Sequence, residues 1–177
     1  MNPVDILPSP GRTTGRTRSL TVQLALAAIG VLVAVGVVFA FGDPHPHAFD
    51  TALFARQPMV IQIHLLAATT ALVLGLIQLA GPKGTTVHRV IGWGWVLLML
   101  TVSISSFAML GLGRGISPIH VLSVVVLVLV PLGVYAARRG RVDRHRGYMT
   151  GVFIFGLIVA GAFTFVPGRL MWRLFLG

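Results

Sequence analysis

The chain has 177 residues, of which 55% are apolar and only 10% charged, with a formal net charge of +10 and a mean hydropathy of +0.90. This composition excludes an ordinary water-soluble domain and reads as an integral membrane protein. The absence of cysteine excludes disulfides, thiolate metal sites and c-type haem attachment, leaving histidine, methionine and carboxylate as metal ligands.

Residues 1–19, rich in Pro, Gly, Thr and Arg, read as a disordered cytoplasmic tail. Five apolar runs of about 20 residues follow, each long enough to span a bilayer. The first, 20–41, is preceded by Arg12, Arg16 and Arg18 as a signal peptide would be. It is longer than a normal signal core and no A-x-A site follows, so a retained first transmembrane helix is expected. Asp43-Pro44-His45-Pro46-His47 comes next. Its prolines prevent a regular helix and predict a solvated loop, the functional alternative being an entrance site for a metal or an electron donor. The runs 59–80, 87–112, 118–137 and 148–166 make a four-helix membrane core over residues 58–166. Prolines at Gln57-Pro58 and Ser117-Pro118 mark helix starts, and Thr86 and Asp143 are the expected caps before His88 and His145. Residues 167–177, with Trp172 between Arg169 and Arg173, suit a periplasmic interfacial tail. The fold class expected is an all-α integral membrane protein of five transmembrane helices, the last four forming a bundle.

With five spans, one face of the membrane receives Arg12, Arg16, Arg18, Lys83, Arg89, Arg138, Arg139, Arg141, Arg144 and Arg146. The other receives Arg56, Arg114, Arg169 and Arg173. This asymmetry predicts a multi-pass protein of the bacterial inner membrane with a cytoplasmic N-terminus and a periplasmic C-terminus. The basic charge flanks the spans, where it meets the headgroups of the lipid bilayer, so nucleic acid is not an expected partner.

Four of the six histidines, His64, His88, His120 and His145, stand near the N-terminal ends of the last four runs. An ionisable side chain at membrane depth is costly and reads as functional. His64 and His88 are 24 residues apart and His120 and His145 are 25 apart, so the hairpin occurs twice as a parallel repeat. The topology puts His64 and His120 on the periplasmic side and His88 and His145 on the cytoplasmic side. Each pair sits on alternate helices, which face one another across a bundle core. Two bis-histidine haem b sites are therefore expected, with these four residues as iron ligands and Arg89 and Arg146 beside the propionates. The helix dipole disfavours imidazolium in a first turn and keeps the rings neutral. Gly75 and Gly156 each lie eleven residues beyond a histidine, about three turns, and serve either ring clearance or close helix packing. Ser103, Ser105 and Ser106, read as mid-span, suit helix–helix hydrogen bonds, and Met109, Met149 and Met171 suit packing.

The chain carries His64, Gly75-x-x-Gln78, His88-Arg89-x-x-Gly92, serines at 103, 105 and 106, Pro118-x-His120 and the His145-Arg146 dipeptide. In these the chain resembles, over about residues 58–170, a family of bacterial membrane proteins catalogued as domain of unknown function 2306. The resemblance implies a multi-span core carrying these histidines and names no activity. In arrangement the chain is also similar to the transmembrane two-haem b-type cytochromes, of the cytochrome b561 kind. That likeness implies one haem on His64 and His120 and another on His88 and His145. The function expected is transmembrane electron transfer between a quinol or small reductant and an acceptor. The alternatives are a cofactor-free structural or assembly subunit of a larger membrane complex, or a metal- or proton-linked transporter. No nucleophile with its base and orienting group is visible, and no phosphate-binding glycine loop, so hydrolase and nucleotide chemistry have no support.

Overall fold

The structure is a computed structural model and describes residues 12–109 and 118–176. In chain order the helices are α1 (Arg12–Phe41), α2 (Thr51–Ala55), α3 (Met59–Ala80), α4 (Thr86–Ala108), α5 (Pro118–Arg138) and α6 (Val142–Gly151). The helix α6 runs on through a π-helical stretch, Val152–Val159, into α7 (Ala160–Phe163), and α8 (Leu170–Phe175) follows. No strand occurs among the described residues. Among the described residues, four helical segments are long and apolar enough to cross a membrane: Met59–Ala80, Thr86–Ala108, Ile119–Arg138 and Val142–Phe163.

Two helix starts differ from the apolar runs. The helix α1 begins at Arg12, inside the segment whose composition predicts a disordered tail, and its described apolar part is Ala28–Phe41. Prolines stop at Pro10 and do not return until Pro44, so nothing in between removes a helical hydrogen bond. The expected tail otherwise lies outside the described residues. The last span begins at Val142 rather than at 148, so Arg144, His145 and Arg146 lie on the helix, and the cap position is Arg141, without a side-chain bond, in place of the expected Asp143. Hydropathy detects the stretch inside hydrocarbon, whereas a helix extends into the headgroup layer, where charge is tolerated. Asp143 in the first turn also complements the positive end of the helix dipole.

Tight turns set the direction of the core helices. Gly84 (φ 78°) lies between α3 and α4, and Gly140 (φ 69°) between α5 and α6, both in the left-handed region that favours glycine. The helices α3 and α4 pack together, as do α4 and α5, and α5 and α6, while the π-helical stretch also touches α3 and closes the bundle. The helix α1 lies outside this ring, against the π-helical stretch and α7. At the centre Ala71, Met99 and Val130 are essentially inaccessible and pack with Trp95, Val126 and Phe153. Leu66, Val73, Leu97, Ile104 and Val121 point outward and are exposed, the inverse of a soluble surface and the expected lipid-facing one.

The C-terminal tail packs against the rest of the protein. Met171, Trp172 and Leu174 of α8 are buried, and Trp172 lies against Gly42, where a side chain on residue 42 would collide with the indole. The backbone amides of His45, His47 and Asp50 donate to the carbonyls of Leu176, Phe175 and Leu174 at 2.8, 3.0 and 3.2 Å. Phe49 stacks at a tilt on Phe54 and Phe175, with centroids 5.6 and 5.3 Å away. The tail is thus folded back onto the segment after α1, where its apolar side chains find a protein partner.

Candidate functional site

The four histidines occupy the two ends of the bundle. At the end bearing the α3–α4 and α5–α6 turns, the Thr85 hydroxyl caps α4 by accepting from the His88 amide at 3.1 Å. The cap is therefore Thr85, one residue before the expected Thr86. The carbonyl of His88 accepts a hydrogen bond from Gln78 Nε2 of α3 at 2.7 Å. Its ring Nδ1 is buried and has no hydrogen-bond partner.

His145 sits in the first turn of α6 and its Nδ1 lies 2.9 Å from the carbonyl oxygen of Gly133 on α5. A carbonyl only accepts, so Nδ1 carries the proton and Nε2 keeps its lone pair. The Met149 side chain lies over Gly133, where a Cβ would stand 2.5 Å from its terminal methyl. The His88 and His145 rings are 6.5 Å apart between centroids and inclined at 79°. An ion held about 2 Å from one nitrogen of each of two opposed imidazoles would separate their centroids by roughly 6 Å. Arg89 and Arg146, the neighbours of these histidines in sequence, are exposed.

At the other end His64 Nδ1 is 2.9 Å from Ser105 Oγ. That hydroxyl lies 2.6 Å from the Thr101 carbonyl, to which it donates. It is therefore placed to accept from His64 Nδ1. His120 packs against Phe107 with centroids 5.9 Å apart. His64 and His120 thus both reach the last turn of α4. Ser123 on α5 bonds Ser106 across the same end at 2.9 Å. Ser105 and Ser106 make the expected inter-helix bonds, but from the end of α4 rather than from mid-span.

Between the two ends the core is filled. The face of Gly75 is occupied by the Phe153 ring and the Trp95 indole, and a Cβ at Gly156 would meet Val126 and Met99 at 3.3 and 3.6 Å. In this structure both glycines serve close helix packing. Trp95 Nε1 is buried in this layer without a hydrogen-bond partner.

Sequence reasoning met Gln78 only through the family resemblance, and Gly133 and Trp95 not at all. Gln78 carried a signal, being an amide inside an apolar run, whereas a carbonyl acceptor such as that of Gly133 has no sequence signature. Among the described residues no group of three or more His, Asp or Glu side chains is placed to hold a metal ion. His45 is exposed and turned onto its own loop, with Nδ1 3.0 Å from the Asp43 carbonyl and Nε2 3.9 Å from its carboxylate, as a solvated loop predicts.

A family model described as predicted membrane protein (DUF2306) matches residues 61–175. The chain belongs to this family. The match covers all four histidines and runs from the first turn of α3 through α8, leaving out α1. No curated protein and no solved structure matches the chain.

Proposed function

We propose that this DUF2306 protein is a five-span electron carrier of the bacterial inner membrane. His88 and His145 would hold one haem b, and His64 and His120 a second. The observation that carries this reading is the approach of His88 and His145, whose rings stand 6.5 Å apart between centroids, a separation that would let both hold one metal ion. A haem b, when bound, supplies a reversible one-electron couple.

The chain's own groups would hold and tune that couple. The Gly133 carbonyl accepts from His145 Nδ1 and the Ser105 hydroxyl lies at His64 Nδ1, so in each neutral ring Nε2 would be the nitrogen left to hold a metal. Arg89 and Arg146 are exposed cations at the His88–His145 end and would pair with propionates. The packed layer of Trp95, Met99 and Phe153 excludes water between the two levels, which lie about 25 Å apart along α4. Electrons would then pass between a quinol or small reductant on one side and an acceptor on the other.

Support for the topology comes from the basic residues gathered at the turn end of the bundle. The pairing of 45–50 with 174–176 also puts the end of α1 beside α8. Together these fit a cytoplasmic N-terminus and a periplasmic C-terminus.

The test is the visible spectrum of the full chain purified from a haem-replete host. A Soret band, a reduced α-band and about two haems per chain are expected, with His88→Ala and His145→Ala each removing the same haem. A colourless, folded preparation would overturn the reading. It would select instead a cofactor-free subunit of a larger membrane complex, which the closed core and the bonds of His64 to Ser105 and His145 to Gly133 also suit.

A further inference from the structure

A groove of about 460 Å³ runs along the outside of the bundle between α5 and the α6–π-helical segment. Its floor includes Gly147 and Gly151, and a Cβ at Gly147 would meet nothing within 4 Å, so the missing side chain there leaves open space. Leu122, Val125 and Leu129 of α5 form one wall and Phe155 of the π-helical stretch stands on the other. At the turn end the groove reaches Arg144 and Tyr148, which also border a smaller recess of about 100 Å³ containing Arg141. From Arg144 to Gly156 the floor is about 18 Å long at helical rise, close to the roughly 15 Å depth of one leaflet's hydrocarbon.

We infer that this groove binds one anionic phospholipid, its phosphate against Arg141 and Arg144 and one acyl chain over Gly147 and Gly151. The shape fits a chain of one leaflet, and the charge is confined to the mouth. Five arginines lie between 138 and 146 against the single acid Asp143, and basic recesses between helices at a membrane surface select anionic headgroups. Two glycines four residues apart also suit the approach of a second helix. A second copy docking on this face would bring its own Arg141 and Arg144 against these, and like charges in a low-dielectric interface repel. The charge therefore favours the lipid over self-association. This site does not depend on haem.

Native mass spectrometry of the full chain, released from mixed micelles containing equal phosphatidylglycerol and phosphatidylcholine, tests the proposal. Retention of one phosphatidylglycerol, preferred roughly tenfold, is expected. Arg141→Gln with Arg144→Gln should remove the preference, and the control pair Arg169→Gln with Arg173→Gln should leave it intact. Gly147→Leu fills the groove where there is room for a side chain, so the protein should stay folded and lose the bound lipid while keeping its arginines. Equal retention of both lipids would overturn the proposal, as would unchanged retention in Gly147→Leu or an equal loss in the control pair. A dimer dispersed by Gly147→Leu would overturn it in favour of a helix–helix interface.

Discussion

At the scale of single residues, this bundle is specified by a few places where a side chain is absent or a polar atom is shared. Gly75 is the sharpest of them. Phe153 and Trp95 occupy its face, so Gly75→Ala must push an aromatic ring out of a filled layer. A cost of about 1–3 kcal/mol is expected, read as a lower thermal midpoint in detergent. The Ser106–Ser123 bond is weaker. Polar bonds between membrane helices contribute little over 0.6 kcal/mol on average, because the separated helices also find partners. Ser123→Ala should therefore lower stability by less than about 1 kcal/mol in the same measurement, while Ser105→Ala also releases the proton position of His64. The expected histidines were legible because a polar side chain inside an apolar run stands out. Their partners were not, since one is a backbone carbonyl and another a serine 41 residues away in sequence.

At the scale of elements, helix starts decide where the histidines sit. Thr85 caps α4, and removing its hydroxyl in Thr85→Ala should cost about 1 kcal/mol. Faster amide exchange over residues 86–89 would report the frayed first turn that holds His88. The short α8 is held by packing, since six residues cannot sustain a helix alone. Leu174 is fully buried there. Leu174→Ala removes roughly 2–5 kcal/mol of packing and should detach the tail from residues 45–50. Accelerated limited proteolysis in that segment, with the four core helices still protected, is the expected result. Hydropathy located four spanning segments to within a few residues. It missed the early start at Val142 and the fold-back of α8, because the first depends on a turn at Gly140 and the second on a partner surface distant in sequence.

At the scale of the whole molecule, the prediction with the widest reach is orientation. The native chain has no cysteine, so single cysteines introduce a clean label. A membrane-impermeant thiol reagent applied to intact spheroplasts should modify Ala48→Cys and leave Thr85→Cys and Gly140→Cys untouched. Labelling at 85 or 140 would invert the topology and move the His88–His145 pair to the opposite side. The sequence alone determined that this is a membrane protein, where its apolar helices lie, which connections carry positive charge and which ionisable residues enter the spans. Each of these follows from local composition and from the free energy of placing a residue in hydrocarbon, which is a property of that residue and its near neighbours. Only the tertiary structure decided that Phe153 fills the space beside Gly75, that His145 borrows the Gly133 carbonyl, that His88 and His145 meet, and that α8 folds onto the segment after α1. Those outcomes depend on how each helix is rotated about its axis and on how closely two helices approach. Both are set by the joint packing of all the helices, which no single segment encodes.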